Sequence, residues 1–115
     1  MTTQQILRIQ AGYYLASGLF PLVSMRTFER ITGPKVDKWL VQMVGLLAAA
    51  IGLSLLVGAR RKTIDESIFA LSIASALAFA GIDVVHAVRR RISPIYLADA
   101  GVEAALVISL VRRLM

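Results

Sequence analysis

Three acidic residues and the only histidine of this chain lie inside otherwise apolar stretches: Asp83, His86, Asp99 and Glu103. Asp83 and His86 are three residues apart. Tyr96, Asp99 and Glu103 are three and four apart. Each set therefore shares one face of a helix. Three chemistries suit them. Neighbouring carboxylates in a low dielectric do not both ionise easily, which fits proton exchange or the binding of a polar or cationic solute. His86, one turn from Asp83, could serve as a general base beside an orienting acid. A histidine with three carboxylates could also hold a metal. Di-iron helical bundles, however, use two Glu-x-x-His repeats. Here there is one imperfect copy, Asp83-x-x-His86, so neither a metal nor a resident cofactor is expected.

The elements that must position these groups are four apolar runs. They predict helices over about 9–25, 39–57, 66–88 and 95–111. A helix needs about 20 apolar residues to cross a bilayer. The first and last runs are short, but Arg8 and Arg112 can snorkel and lengthen them. Composition agrees: 57% of residues are hydrophobic and 17% charged, with mean hydropathy +0.72. A soluble domain carries about 25% charge, and a soluble core in a chain of 115 residues could not bury the excess. The expectation is a single all-α domain spanning residues 1–115, an integral membrane protein with four transmembrane helices in an up-down bundle. No β-type alternation competes with it, and lipid forbids open sheet edges. The N-terminus does not read as a signal peptide, because Met1 to Gln5 holds no basic residue.

The punctuation fits helices. Thr32-Gly33-Pro34 stops whatever helix continues past Arg26. Asp37 is placed to cap the second span. Thr63-Ile64-Asp65-Glu66 reads as a capping box before the third, and Ser93-Pro94 as a cap and first-turn proline before the fourth. Small residues recur four apart, as in Gly12 and Ala16, Gly45 and Ala49, Ala48 and Gly52, Ala74 and Ala78, and Ala100 and Ala104. Such spacing lets helix backbones approach closely in lipid. Trp39 and Tyr96 sit near helix ends, as interfacial aromatics do.

A short turn near Arg91 makes the third and fourth spans an antiparallel hairpin. Asp83 then falls level with Asp99 and His86 with Tyr96, while Glu103 lies one turn deeper. These five groups can converge on one pocket. Arg26 and Gln42 lie at similar depth and are counted with it. The alternative is that Asp83 or Asp99 pairs with Arg26 or a neighbouring arginine and only fixes helix register.

The net charge of +6 does not point to nucleic acid, because the basic residues form short clusters between apolar runs with no aromatic interleaving. Such clusters meet lipid headgroups. With four crossings, Arg8, Arg60, Arg61, Lys62, Arg112 and Arg113 share one side. Arg26, Arg30, Lys35, Lys38, Arg89, Arg90 and Arg91 share the other. Six against seven gives the positive-inside rule no purchase, so one candidate arrangement is an antiparallel dimer. A homo-oligomer is expected on the small-residue faces, with membrane lipids as the surrounding partners. The chain has no cysteine, which removes disulfides, thiolate metal sites and a cysteine nucleophile.

From Leu22 to Leu56 the layout resembles a known group. Pro21-Leu22 ends a first helix, Phe28 precedes Thr32-Gly33-Pro34, and then come Trp39-Leu40-Val41 and Gly45 with Gly52. This looks like the small bacterial four-helix membrane proteins grouped as DoxX-like. The resemblance covers about a third of the chain. It implies the architecture and a bacterial inner membrane, and supplies no catalytic residues. Small multidrug transporters share the length and helix number, but they depend on a glutamate in the first helix, and Ala11 to Met25 holds no acid.

The leading functional expectation is transport or binding of a polar, cationic or lipid-like solute, or of protons. Asp99 and Glu103 would act directly, with Asp83 and His86 in support. A membrane enzyme acting on a lipid or quinone through His86 is an alternative that no nucleophile motif supports. A structural subunit of a larger membrane complex is a third.

Overall fold

The computed structural model describes residues 2–33, 37–88 and 95–114. All regular structure among them is helical: α1 (Thr3–Val23), α2 (Met25–Thr32), α3 (Lys38–Gly58), α4 (Glu66–Val88) and α5 (Ile95–Leu114). The expected cap at Ser93-Pro94, the basic run Arg89 to Arg91, and Pro34 with Lys35 lie outside the described residues.

The expected first span lies almost wholly in α1, and the stretch past Arg26 belongs to a separate helix, α2. α1 begins at Thr3 rather than near Ile9, because Thr2 and Gln5 form a reciprocal capping box. The Thr2 N–H donates to Gln5 Oε1 at 2.8 Å and the Gln5 N–H to Thr2 Oγ1 at 3.2 Å. Arg8 does not end the helix, because its side chain simply faces outward. α1 stops at Ser24, whose backbone is extended (φ −150°, ψ 90°). The Ser24 N–H closes α1 on the Phe20 carbonyl at 2.9 Å. Its hydroxyl opens α2 by accepting from the Thr27 N–H at 3.3 Å.

α2 is a short amphipathic helix. Met25, Phe28 and Ile31 recur every three residues, against Arg26, Glu29 and Arg30. Phe28 packs edge-on against Phe20, with centroids 5.7 Å apart, and this folds α2 back across the end of α1. Gly33 stops it at φ 99°, a conformation a side chain disfavours, and its N–H bonds the Glu29 carbonyl at 2.8 Å.

Two expected caps are corrected. The Asp37 carboxyl makes no capping bond to α3. Only its carbonyl engages, accepting from the Leu40 and Val41 N–H groups. Before α4 the capping residue is Asp65, whose Oδ1 accepts from the Ser67 N–H at 3.3 Å. Glu66 is already the first helical residue, so Thr63 sits too far outside to close a box with it.

The long helices alternate in direction. Gly18 of α1 lies against Gly45 of α3, and Ala11 against Gly52, which is the order of antiparallel neighbours. The contact at Gly18 and Gly45 is so close that a Cβ on either would collide with the other's carbonyl oxygen. Ala48, Ala49 and Gly52 are buried in the same seam. Gly12 and Ala16 are not part of it. Both are exposed, and nothing lies within 4 Å of a Cβ built on Gly12. Ala74 and Ala78 also face outward. The Gln4 amide ties the start of α1 to the α3–α4 loop, donating to the Lys62 carbonyl at 2.9 Å. α5 packs mainly on α4, and the α1/α3 and α4/α5 pairs meet to complete the bundle.

The bundle's two ends differ. At the end holding the α3–α4 loop, Ile6, Leu7, Ala11, Leu55, Ala59, Leu106 and Leu110 form a close-packed apolar core. The opposite end, beneath α2, is hollow. α3 and α4 are long and apolar enough to cross a membrane. Much of their outer surface is apolar as well, with Leu46, Leu47, Leu53, Leu77 and Val85 exposed.

Candidate functional site

The hollow end is a cavity of about 720 Å³, lined by residues of all five helices. Its walls are largely apolar. Phe20 and Pro21 come from α1, Phe28 and Ile31 from α2, Val41 and Val44 from α3, Phe79 and Ile82 from α4, and Ile95 and Val102 from α5. On this surface lie three carboxyl groups, Asp83 of α4 and Asp99 and Glu103 of α5, with Tyr13 and Tyr14 of α1.

The helical spacing read in the sequence explains why the acids meet. α4 and α5 run antiparallel, and Asp83 and Asp99 line the same cavity. Glu103 is one turn deeper, with no exposure at all, and Asp83 is 7% exposed. Among the described residues neither aspartate is paired with an arginine. The one ion pair there is Lys38 with Glu29 at 3.5 Å. No three His, Cys, Asp or Glu side chains among the described residues are drawn together tightly enough to hold a metal ion.

The acids are held from α1. Tyr13 donates its hydroxyl to Asp99 Oδ1. Tyr14 donates to Glu103 Oε2 at 2.5 Å. Neighbouring positions on α1 point about 100° apart, so two consecutive tyrosines reach two acids a turn apart on α5. Gln10, one turn back on α1 and fully buried, fixes the sense of the second bond. The Ser72 hydroxyl donates to Gln10 Oε1, which orients the amide. Gln10 Nε2 then donates to the Ser72 carbonyl at 3.0 Å and to Tyr14 Oη at 3.1 Å. With its oxygen accepting, Tyr14 spends its own proton on Glu103. What remains without a partner is Glu103 Oε1 and Asp83 Oδ2, both buried.

Of the other expected members one lines the cavity and three do not. Tyr96 lines the cavity. His86 is half-buried and does not line it. Three residues advance a helix by about 300°, so His86 is turned some 60° off the line of Asp83. Depth placed it correctly and rotation did not. Arg26 and Gln42 line a separate concavity of about 500 Å³ with Met25, Glu29, Arg30 and Lys38. Arg26 lies beyond the break at Ser24, so it belongs to α2, whose polar face turns it outward.

Tyr13, Tyr14, Gln10 and Ser72 are members of the site that the pattern of acids does not point to. An available signal was Gln10 four residues before Tyr14 inside an apolar run, the spacing of two polar groups on one helix face.

Fold and site together define an all-α protein with two apolar helices of membrane-spanning length and an acid-bearing cavity at one end of the bundle. No protein-family model matches the chain, and no curated protein or solved structure matches it either.

Proposed function

We propose that this chain is a four-span membrane protein that binds an amphipathic, lipid-like molecule. The ligand's apolar body lies in the cavity beneath α2, and its polar head engages Asp99 and Glu103. The observation that carries the reading is a large, mostly apolar cavity ending on two carboxyl groups, half-buried Asp99 and buried Glu103, each held by a tyrosine hydroxyl. A ligand site is typically apolar with a few fixed polar groups of this kind, and ionisable groups at membrane depth mark function by default.

The four-span reading is supported by where the polarity points. α1 and α5 are less apolar than α3 and α4, yet Gln10, Tyr14 and Glu103 are buried while Ile9, Leu19 and Ile108 face outward. α2, with one basic and one apolar face, suits the headgroup layer. The likeness to DoxX-like proteins favours a bacterial inner membrane. The exposed faces bearing Gly12 with Ala16 and Ala74 with Ala78 favour self-association. Because the far end of the cavity is closed by the packed core, the ligand enters from the α2 end. Transport would require that core to open.

The test is binding of dodecyl-chain amphiphiles to the purified protein in nanodiscs, measured by calorimetry. Asp99→Asn with Glu103→Gln should weaken binding about tenfold or more by removing the head's partners. Val44→Trp should weaken it by filling the cavity. Unchanged affinity in both variants defeats the reading.

A further inference from the structure

We infer that the cavity selects a monovalent lipophilic cation and takes it up in exchange for one proton shared among Asp83, Asp99 and Glu103. This rests on the reading of the cavity as a ligand site and names its ligand class.

The first support is the sign of the charge. Among the described residues lining the cavity, the charged ones are Asp83, Asp99 and Glu103, all acidic. The titratable groups facing them are Tyr13 and Tyr14 from α1 and Tyr96 from α5. The lining stretches of α2 and α3 contribute no charge. Arg26, Arg30 and Lys38 sit in the other concavity, where Glu29 already faces Lys38. Among the described lining residues, a ligand carrying a phosphate or carboxylate would meet carboxyl and hydroxyl groups and no basic side chain.

The second support is which atoms remain available. Asp99 Oδ1 and Glu103 Oε2 each accept from a tyrosine hydroxyl. Asp83 Oδ2 and Glu103 Oε1 are buried, unpartnered, and belong to residues lining the cavity. Both residues are more than nine-tenths buried. Two oxygen acceptors without donors, set in an apolar wall, match a positively charged head.

The third support is the proton count. Asp83, Asp99 and Glu103 line one largely apolar cavity. Three free negative charges in an apolar setting are costly, at about 2.5–3.5 kcal/mol each on insertion scales. A cationic head supplies the same neutralisation. The exchange balances: the protonated site plus one cation gives the ionised site with the cation bound, plus one proton released, with net site charge unchanged.

The experiment uses the full chain in nanodiscs and two probes of equal chain length. Dodecyltrimethylammonium is permanently charged and has no ionisable proton, so any proton released comes from the protein. Dodecanol is neutral. Calorimetry in two buffers of different ionisation enthalpy counts the protons. The expected result is about one proton released per cation, with affinity rising up to tenfold per pH unit. Dodecanol should bind at least tenfold more weakly and release none. Asp83→Asn should reduce the release, and Asp99→Asn with Glu103→Gln should abolish it and bring the two probes to similar affinity. Equal affinity for both probes, or cation binding without proton release at both pH 6 and pH 8, overturns the inference and leaves the amphiphile reading standing. If neither probe binds the wild-type chain, the amphiphile reading itself fails.

Discussion

Replacing Tyr14 by Phe tests how much the α1–α5 contact contributes. The ring survives, so its edge-on packing on Phe79, with centroids 5.3 Å apart, is kept. Two hydrogen bonds go, the 2.5 Å bond to Glu103 and the 3.1 Å bond from Gln10. Interhelical hydrogen bonds in membranes average about 0.6 kcal/mol and reach about 1.7. Bonds to charged groups contribute about 1.5–3 kcal/mol. The Tyr14–Glu103 bond belongs where the two ranges meet, at about 1.5 kcal/mol, because the other Glu103 oxygen has no partner and the change would leave the carboxyl with none. We expect a loss of about 2 kcal/mol. In a Glu103→Leu background only the Gln10 bond is lost, and the same change should cost about 0.5 kcal/mol. The coupling is then about 1.5 kcal/mol, read from a double-mutant cycle of unfolding in mixed detergent micelles with increasing dodecyl sulfate. A coupling below about 0.3 kcal/mol would refute the claim that Tyr14 holds Glu103 across the bundle.

Two further outcomes follow from the packing. Gly18→Leu should cost more than about 2 kcal/mol in the same unfolding assay, because even a Cβ there collides with the α3 backbone. Gly12→Ala, facing open space, should be neutral or stabilising by about 0.5–1 kcal/mol. Accessibility tagging of single cysteines in cells should place Thr2, Lys62 and Arg113 on one side and Arg30 on the other. Half-labelling at every site would instead indicate insertion in both orientations.

Helix positions were legible in the sequence because they depend on long uncharged runs. α3 and α4 lie within a residue or two of the expected bounds. Ends set by single hydrogen bonds were less so. Arg8 looked like a boundary, which hid the Thr2–Gln5 box. Thr63 looked like a cap because Glu66 follows at the right spacing, while Asp65 was nearer. The meeting of Asp83, Asp99 and Glu103 was legible because an antiparallel hairpin fixes depth. Rotation about each helix is set by side-chain packing, which spacing does not encode, so spacing points His86, Arg26 and Gln42 to a cavity they do not line. Tyr13 and Tyr14 do not stand out in the sequence, because an aromatic in an apolar run passes for core. Their hydroxyls acquire meaning only once α5 is alongside α1.

The most direct test of the cavity as a ligand site places a fluorophore inside it and another outside. In a Trp39→Phe background, Phe79→Trp puts tryptophan at the cavity wall, and Leu47→Trp puts it on the outer surface, where Leu47 is 59% exposed. Both are titrated with a dodecyl-chain amphiphile brominated along the chain. The account predicts saturable quenching at position 79, at one ligand per chain, and only gradual, non-saturating quenching at position 47. Identical non-saturating curves at the two positions would contradict it.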